Sequence, residues 1–177
     1  MSRIIATEYV SLDGMMDDPG QWSFPFFHPE VGQYKFDELF ASDAMLLGRV
    51  THEAFAAAWT TMSDEAGFAD RMNGMPKYVA SRTRTEVGWN GTVLQGELGD
   101  AVAALKAEGD QTLLLAGSGQ VVRELLSRGL VDELRLLVHP IVLGGSMPLF
   151  AGLDRMTLTL TETKTFATGV VPMHYSR

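Results

Sequence analysis

Three short segments carry the residues whose types and spacing could do chemistry. Leu46-Leu47-Gly48-Arg49-Val50-Thr51 is an apolar run that breaks at glycine and restarts as a helical pattern. Leu113-Leu114-Leu115-Ala116-Gly117-Ser118-Gly119 repeats the design and continues through Gln120 and Val121. Between them, Tyr78-Val79-Ala80-Ser81-Arg82-Thr83 ends an apolar run in a hydroxyl and a guanidinium. The two glycine segments read as strand-to-helix turns. Such a turn leaves helix N-terminal N–H groups unpaired, and the positive end of the dipole favours an anion there. Glycine lets the backbone approach that anion closely, and Arg49 and Arg82 add charge suited to phosphate. Two phosphate-ready turns plus a Ser-Arg pair suit a dinucleotide better than a single phosphate.

A second group of residues could meet a substrate. Asp13-Gly14 is a turn signal, and it also sets a carboxylate where it could orient a donor or a water. The segment Met15 to Pro29 holds Trp22, Phe24, Phe26 and Phe27 among Pro19-Gly20 and two more prolines. It is too apolar for a solvated linker and too broken for a regular element. An ordered loop of that length in a compact domain is usually functional, and its aromatics suit a flat heterocycle. Met15, Trp22, Phe27 and, farther on, Phe36 are the candidate substrate contacts, beside Asp13. His28, His52, His139 and His174 are scattered without ligand spacing, so no metal is expected. Glu30, Asp37 and Glu38 are expected on a solvated helix face.

The elements that must position these residues follow from periodicity. Strands are expected at Ile4–Val10, Ala44–Leu47, Lys77–Ala80, Thr92–Leu94, Thr112–Ala116, Glu133–Val142, Thr157–Phe166 and Val170–Tyr175. Helices are expected at Glu30–Ser42, Thr51–Trp59 with Thr51 as N-cap, Asp64–Met72, Asp100–Glu108, and Gln120–Arg128 closed by Gly129. Strands alternating with helices imply a mostly parallel sheet with helices on both faces. The last two strands form an antiparallel hairpin on that sheet. The expected fold is therefore α/β, one domain over residues 1–177 with a mixed, mostly parallel central sheet.

Composition narrows the function. A formal charge of −8 argues against a nucleic-acid-binding surface, yet it leaves room for an anionic ligand held by local arginines. The absence of cysteine removes disulfides, thiolate metal sites and a cysteine nucleophile. No apolar run approaches ~18–20 residues, so no membrane span is expected. Met1-Ser2-Arg3-Ile4 enters a strand at once, so no signal peptide and a cytoplasmic address are expected.

In their order, the segments resemble the dihydrofolate reductase-like superfamily, in the branch related to the C-terminal reductase domain of bacterial riboflavin biosynthesis proteins. The matching pieces are Ser11-Leu12-Asp13-Gly14, Leu47-Gly48-Arg49-Val50-Thr51-His52-Glu53, Ala80-Ser81-Arg82-Thr83, Ala116-Gly117-Ser118-Gly119-Gln120-Val121, and His139-Pro140-Ile141-Val142-Leu143-Gly144-Gly145-Ser146-Met147-Pro148-Leu149-Phe150. They span nearly the whole chain.

The resemblance implies NADPH as cofactor. It implies that Gly48, Arg49, Val50 and Thr51 meet the pyrophosphate, and that Ser81, Arg82 and Thr83 meet the 2′-phosphate. Ala116 to Val121 would lie under the nicotinamide side, with Ala6 beside that ring. Asp13 to Trp22 would be a mobile loop over the reacting centre. It also implies a homodimer, with the hairpin residues Leu158, Leu160, Val170 and Met173 and a long apolar edge strand at Glu133–Val142 needing cover.

One departure stands out. Dihydrofolate reductases set a carboxylate on the first long helix about sixteen positions before the Gly-Arg turn; here that position is Gly32, between Val31 and Gln33. Folate reduction is therefore not expected. The zinc deaminase usually fused to the riboflavin-pathway reductase needs cysteine ligands, which this chain lacks. Lys35 is the only cation on that helix for a sugar phosphate. The expected activity is NADPH-dependent reduction of a small planar heterocycle or carbonyl compound, with water or Asp13 as proton source. The alternatives are a pyrimidine reductase working beside a separate deaminase, and a non-catalytic NADPH-binding sensor or partner-binding module.

Overall fold

Strand β1 (Arg3–Ser11) runs through the middle of the molecule, and its side chains alternate between two cores. In the computed structural model, which describes residues 1–177, the strand-forming runs make one eight-stranded sheet. The strands are β1, β2 (Ala44–Gly48), β3 (Lys77–Ala80), β4 (Gly91–Val93), β5 (Thr112–Leu115), β6 (Glu133–His139), β7 (Thr159–Thr163) and β8 (Val171–Ser176). The helices are α1 (Pro19–Trp22), α2 (Pro29–Phe40), α3 (Arg49–Trp59), α4 (Phe68–Gly74), α5 (Leu98–Glu108) and α6 (Gly119–Ser127).

Ile4, Ala6 and Val10 face one side of the sheet, with Leu46, Leu113 and Leu115, and pack against Val102 of α5 and Val122 and Leu125 of α6. Ile5, Met45, Leu47 and Leu114 face the other side and meet Leu39 of α2 and Met72 of α4. Each such buried side chain stabilises by about 1.5–3 kcal/mol. A one-residue slip of β1 would turn both sets to the wrong core, so its register is fixed.

The spatial order is β4-β3-β2-β5-β1-β6-β8-β7. The first six are parallel, and β8 and β7 close the sheet as an antiparallel hairpin. From β2 the chain moves outward to β3 through α3; from β5 it moves the opposite way, to β6, through α6. Connections leaving in opposite directions open a crevice at the carboxyl ends of β2 and β5, where ligands of such sheets bind. No helix is long and apolar enough to cross a membrane.

Several boundaries differ from expectation. Met15–Pro29 contains regular structure, α1 and a 3-10 turn at Phe24–Phe26. Helix α3 starts at Arg49 with Gly48 as N-cap, so Thr51 lies inside its first turn. Asp64 does not start α4 but caps it, accepting the N–H groups of Phe68 at 3.0 Å and Ala69 at 2.6 Å. Strand β6 stops at His139 and is no edge, since β1 and β8 flank it. The sheet's edges are β4 and β7, and β7 is exposed along its whole length. Val170, expected on an apolar face needing cover, is already buried against Val31, Leu137 and Phe166.

Candidate active site

The two glycine turns touch each other. Gly48 N–H donates to Gly117 C=O at 3.0 Å. A Cβ at Gly48 would stand 2.7 Å from Ser118 Oγ, closer than side chains pack, so only glycine permits this approach. Gly117 has φ +80°, the left-handed region that glycine adopts freely. The Gly117–Ser118 peptide is cis. Helices α3 and α6 both begin here, and neither N-cap residue, Gly48 or Ser118, makes a side-chain cap bond. The first-turn N–H groups of Arg49, Val50 and Thr51 and of Gly119, Gln120 and Val121 therefore converge on one crevice. Val121 is itself buried in the core, so its backbone is what it can offer.

Cations line the β3 side of the crevice. Ser81, just past β3, uses its Oγ to accept the N–H groups of Thr83 at 3.2 Å and Arg84 at 2.9 Å, which shapes the Ser81–Arg84 turn. Arg82 makes no ion pair, whereas Arg49 meets Glu53 at 2.8 Å and Arg84 meets the same carboxylate at 3.8 Å. Arg84 was not anticipated; its place beside the Ser-Arg pair was the available signal.

The loop after β1 is tied down. Asp13 accepts from Ser11 Oγ at 2.5 Å and from the N–H groups of Leu143 at 3.1 Å and Gly144 at 2.9 Å. Asp17 accepts from the N–H groups of Ser146 and Met147. Two carboxylates thus clasp the segment after β6 to the segment after β1, and Met15 pairs with Pro148. Met16 lies where a Cβ on Gly119 would stand, so the same loop covers the start of α6. The Ser11 hydroxyl and the two amides hold the Asp13 carboxyl down at about 2. These contacts favour the ionised form of Asp13.

Under α2 the sheet presents charge. Lys35 Nζ donates to Glu38 and, at 3.1 Å, to Thr7 Oγ1. Arg135 of β6 meets Glu38 at 3.5 Å and Glu133 at 2.5 Å. Arg3 pairs with Glu133, and Tyr34 OH lies 2.7 Å from His174 Nε2. Glu38, expected on a solvated face, is 3% exposed. Lys35, expected to be available to a sugar phosphate, is engaged. Gly32 lies under the Phe27 ring, 3.4 Å from its Cζ to a Cβ built on the glycine, so a side chain there would press on that ring.

The candidate substrate contacts divide. Trp22 and Phe26 pack on His139 with ring centroids 5.0 Å and 5.7 Å away, and Tyr9 joins them at 5.0 Å. Burial pushes the His139 imidazole below its ordinary pKa, leaving it neutral. A cleft opens between Tyr9, Phe26 and His139 on one side and Phe24, Phe27 and Val31 on the other. Phe36 lies elsewhere: it stacks on Phe40 at 4.1 Å and leans towards Phe68 of α4. Ala6 is fully buried, on the strand between β5 and β6.

The residue of β1 that does reach the level of the glycine turn is Glu8, unforeseen from sequence. Burial pushes its carboxyl up to about 8, against the opposing pull of Lys35 and the Gly117 amide. A lone glutamate inside the apolar Ile4–Val10 run was the signal.

The match to known proteins is consistent along the chain. Residues 2–172 match the model of the RibD C-terminal domain. The chain is 30% identical to the uncharacterized protein YyaP of Bacillus subtilis (strain 168) over 178 residues, which covers 98% of this chain and 94% of that protein. It superposes with TM-score 0.80 and 25% identity on a protein assigned to riboflavin biosynthesis from Shewanella sp. PV-4, covering 99% of this chain and 98% of that one. A dihydrofolate reductase from Enterococcus faecalis, solved in complex with NADP(H), shares the fold at TM-score 0.69 and 14% identity, over 99% and 96% of the two chains.

Proposed function

The chain belongs to the RibD C-terminal domain family, and from that premise we propose that it is an NADPH-dependent reductase acting on a small planar heterocycle or carbonyl compound. The observation that carries this reading is the meeting of two uncapped helix N-termini at the crevice between β2 and β5. The N–H groups of Arg49–Thr51 and Gly119–Val121 would hold the pyrophosphate. Ser81, Arg82 and Thr83 would meet the 2′-phosphate: the Ser81 hydroxyl still has its proton to donate, and Arg82 has no competing partner. Ala116 and Gly117 would floor the nicotinamide side.

When bound, NADPH supplies the hydride; the chain's own task is to hold donor and acceptor in register and dry. The clasped loop with Met15 and Met16 closes the crevice from above. Trp22, Phe27 and the neighbouring rings would offer flat apolar surface to the acceptor.

Dihydrofolate is not the acceptor in this proposal. Its amidine edge needs an anion, Gly32 offers none, and Glu38 is neutralised by Lys35 and Arg135. The phosphoribosylated uracil of riboflavin synthesis is disfavoured too, because Lys35 is engaged. The absence of a carboxylate at position 32 also suits a second reading, an NADPH-binding module without turnover. In the cell we propose a soluble cytoplasmic homodimer joined at the β7 edge, which light scattering would test by mass. Loss of NADPH absorbance with a panel of pterins, pyrimidines and small carbonyls decides between enzyme and module. The enzyme reading expects turnover with at least one pyrimidine or carbonyl and none with dihydrofolate; binding of NADPH without turnover across the panel would favour the module.

A further inference from the structure

Strand β1 outlasts its neighbour. Its pairing with β5 ends at Ala6 opposite Leu115, so β1 runs on and brings Glu8 level with Gly117. Glu8 Oε1 is sealed from solvent with no hydrogen-bond partner. It lies 3.9 Å from the point where a Cβ on Gly117 would stand, and Thr51 Oγ1 lies 3.2 Å from that same point. The carboxyl therefore borders both turns of the cradle from beneath. An apolar side chain of similar size would suit the fold better than an unpartnered acid. Departures of that kind gather at functional sites.

We propose that Glu8 is a positioning residue of the cofactor cradle: its sealed carboxyl packs beside Gly117 and fixes the Gly117–Ser118 turn on which the two helix N-termini meet. The inference rests on the NADPH reading. The charged groups that reach Glu8 are Lys35 and Glu38 of α2, which oppose each other. Thr51 of α3 and Gly117 do not titrate, and Leu136 faces it in register from β6. Tyr9, next on the strand, points to the opposite face among the α2 rings. Desolvation keeps the proton on until about 8. Above that, a carboxylate would sit under the cofactor's phosphates in a water-poor site, where like charges repel strongly.

The test is a calorimetric titration of the full chain with NADPH from about pH 7 to about pH 9.5, a window that brackets the Glu8 titration. Wild type should lose about tenfold in affinity across that range, the equivalent of one pKa unit of coupling. Glu8→Gln, which keeps the shape of the side chain but has no acidic proton to lose, should show no such slope across the range. Infrared detection of the protonated carboxyl in wild type gives a reading without the variant: the band should persist to higher pH with NADPH bound. Equal slopes in wild type and Glu8→Gln would assign the effect to another group, such as Lys77, which burial lowers to about 8 at the far end of β3. That result, or no slope in wild type, would overturn the role of Glu8 and leave the cofactor reading standing. No NADPH binding at any pH would overturn both.

Discussion

At the carboxyl ends of β2 and β5 the working groups are backbone N–H donors. Beneath α2, one strand beyond β1, they are side chains drawn from positions as far apart as Thr7, Lys35, Glu38 and Arg135. The first region is made by short glycine segments and offers unpaired donors to an anion. The second is made by long-range ion pairs that satisfy one another and leave nothing over. The contrast separates a surface built to receive a ligand from one built to hold a helix on a sheet.

The largest expected effect breaks the first region alone. Gly48→Val would drive its side chain into Ser118 and part the two turns. NADPH affinity should fall about a hundredfold, about 3 kcal/mol, while circular dichroism and the urea midpoint change little. Glu38→Ala should do the reverse. It removes the carboxylate partner of Lys35 and leaves Arg135 with Glu133 alone, both side chains being largely buried. A loss near 3 kcal/mol in urea unfolding, the low end for breaking a buried pair, should leave NADPH affinity nearly unchanged. Comparable binding losses in both variants would mean that the two regions are one.

The cradle was legible in the sequence because Gly48, Gly117 and Ser81-Arg82 each announce a strand end followed by a turn, and three strand ends on one edge of a parallel sheet must lie together. The α2 side was not. Lys35 and Glu38 stand one turn apart, the spacing of an ordinary surface pair, and nothing local says that Arg135, a hundred residues on, will bury them. The clasp at Asp13 was hidden for the same reason: its partners Leu143 and Gly144 belong to a segment that only the sheet brings near. Phe36 shares a helix with the site yet faces α4, a choice that helical spacing leaves open.

Smaller changes sharpen the comparison within the cradle. Arg82→Ala should weaken NADPH about tenfold, within the ~1.5–3 kcal/mol of a charge-assisted contact, and leave NADH almost untouched; equal losses would remove Arg82 from the 2′-phosphate. Smallest should be Asp13→Asn with Asp17→Asn, which open the clasp between the loops after β1 and β6. Amide exchange at Leu143, Gly144, Ser146 and Met147 should quicken, with the melting temperature little moved. In wild type the Asp13 contribution is complete above the ordinary carboxylate value of 3.8 and is lost as pH falls through about 2. The Leu143 and Gly144 amides should therefore loosen in that acid window and stay protected at neutral pH.

The central claim is that two uncapped helix N-termini and the Ser81–Arg82 turn together hold NADPH. Calorimetric titration of the purified chain with NADPH and, separately, NADH tests it most directly. One NADPH should bind per chain, at least about tenfold more tightly than NADH, as expected of a charge-assisted contact to the extra phosphate. Absence of saturable NADPH binding, or equal affinity for the two cofactors, would contradict the account.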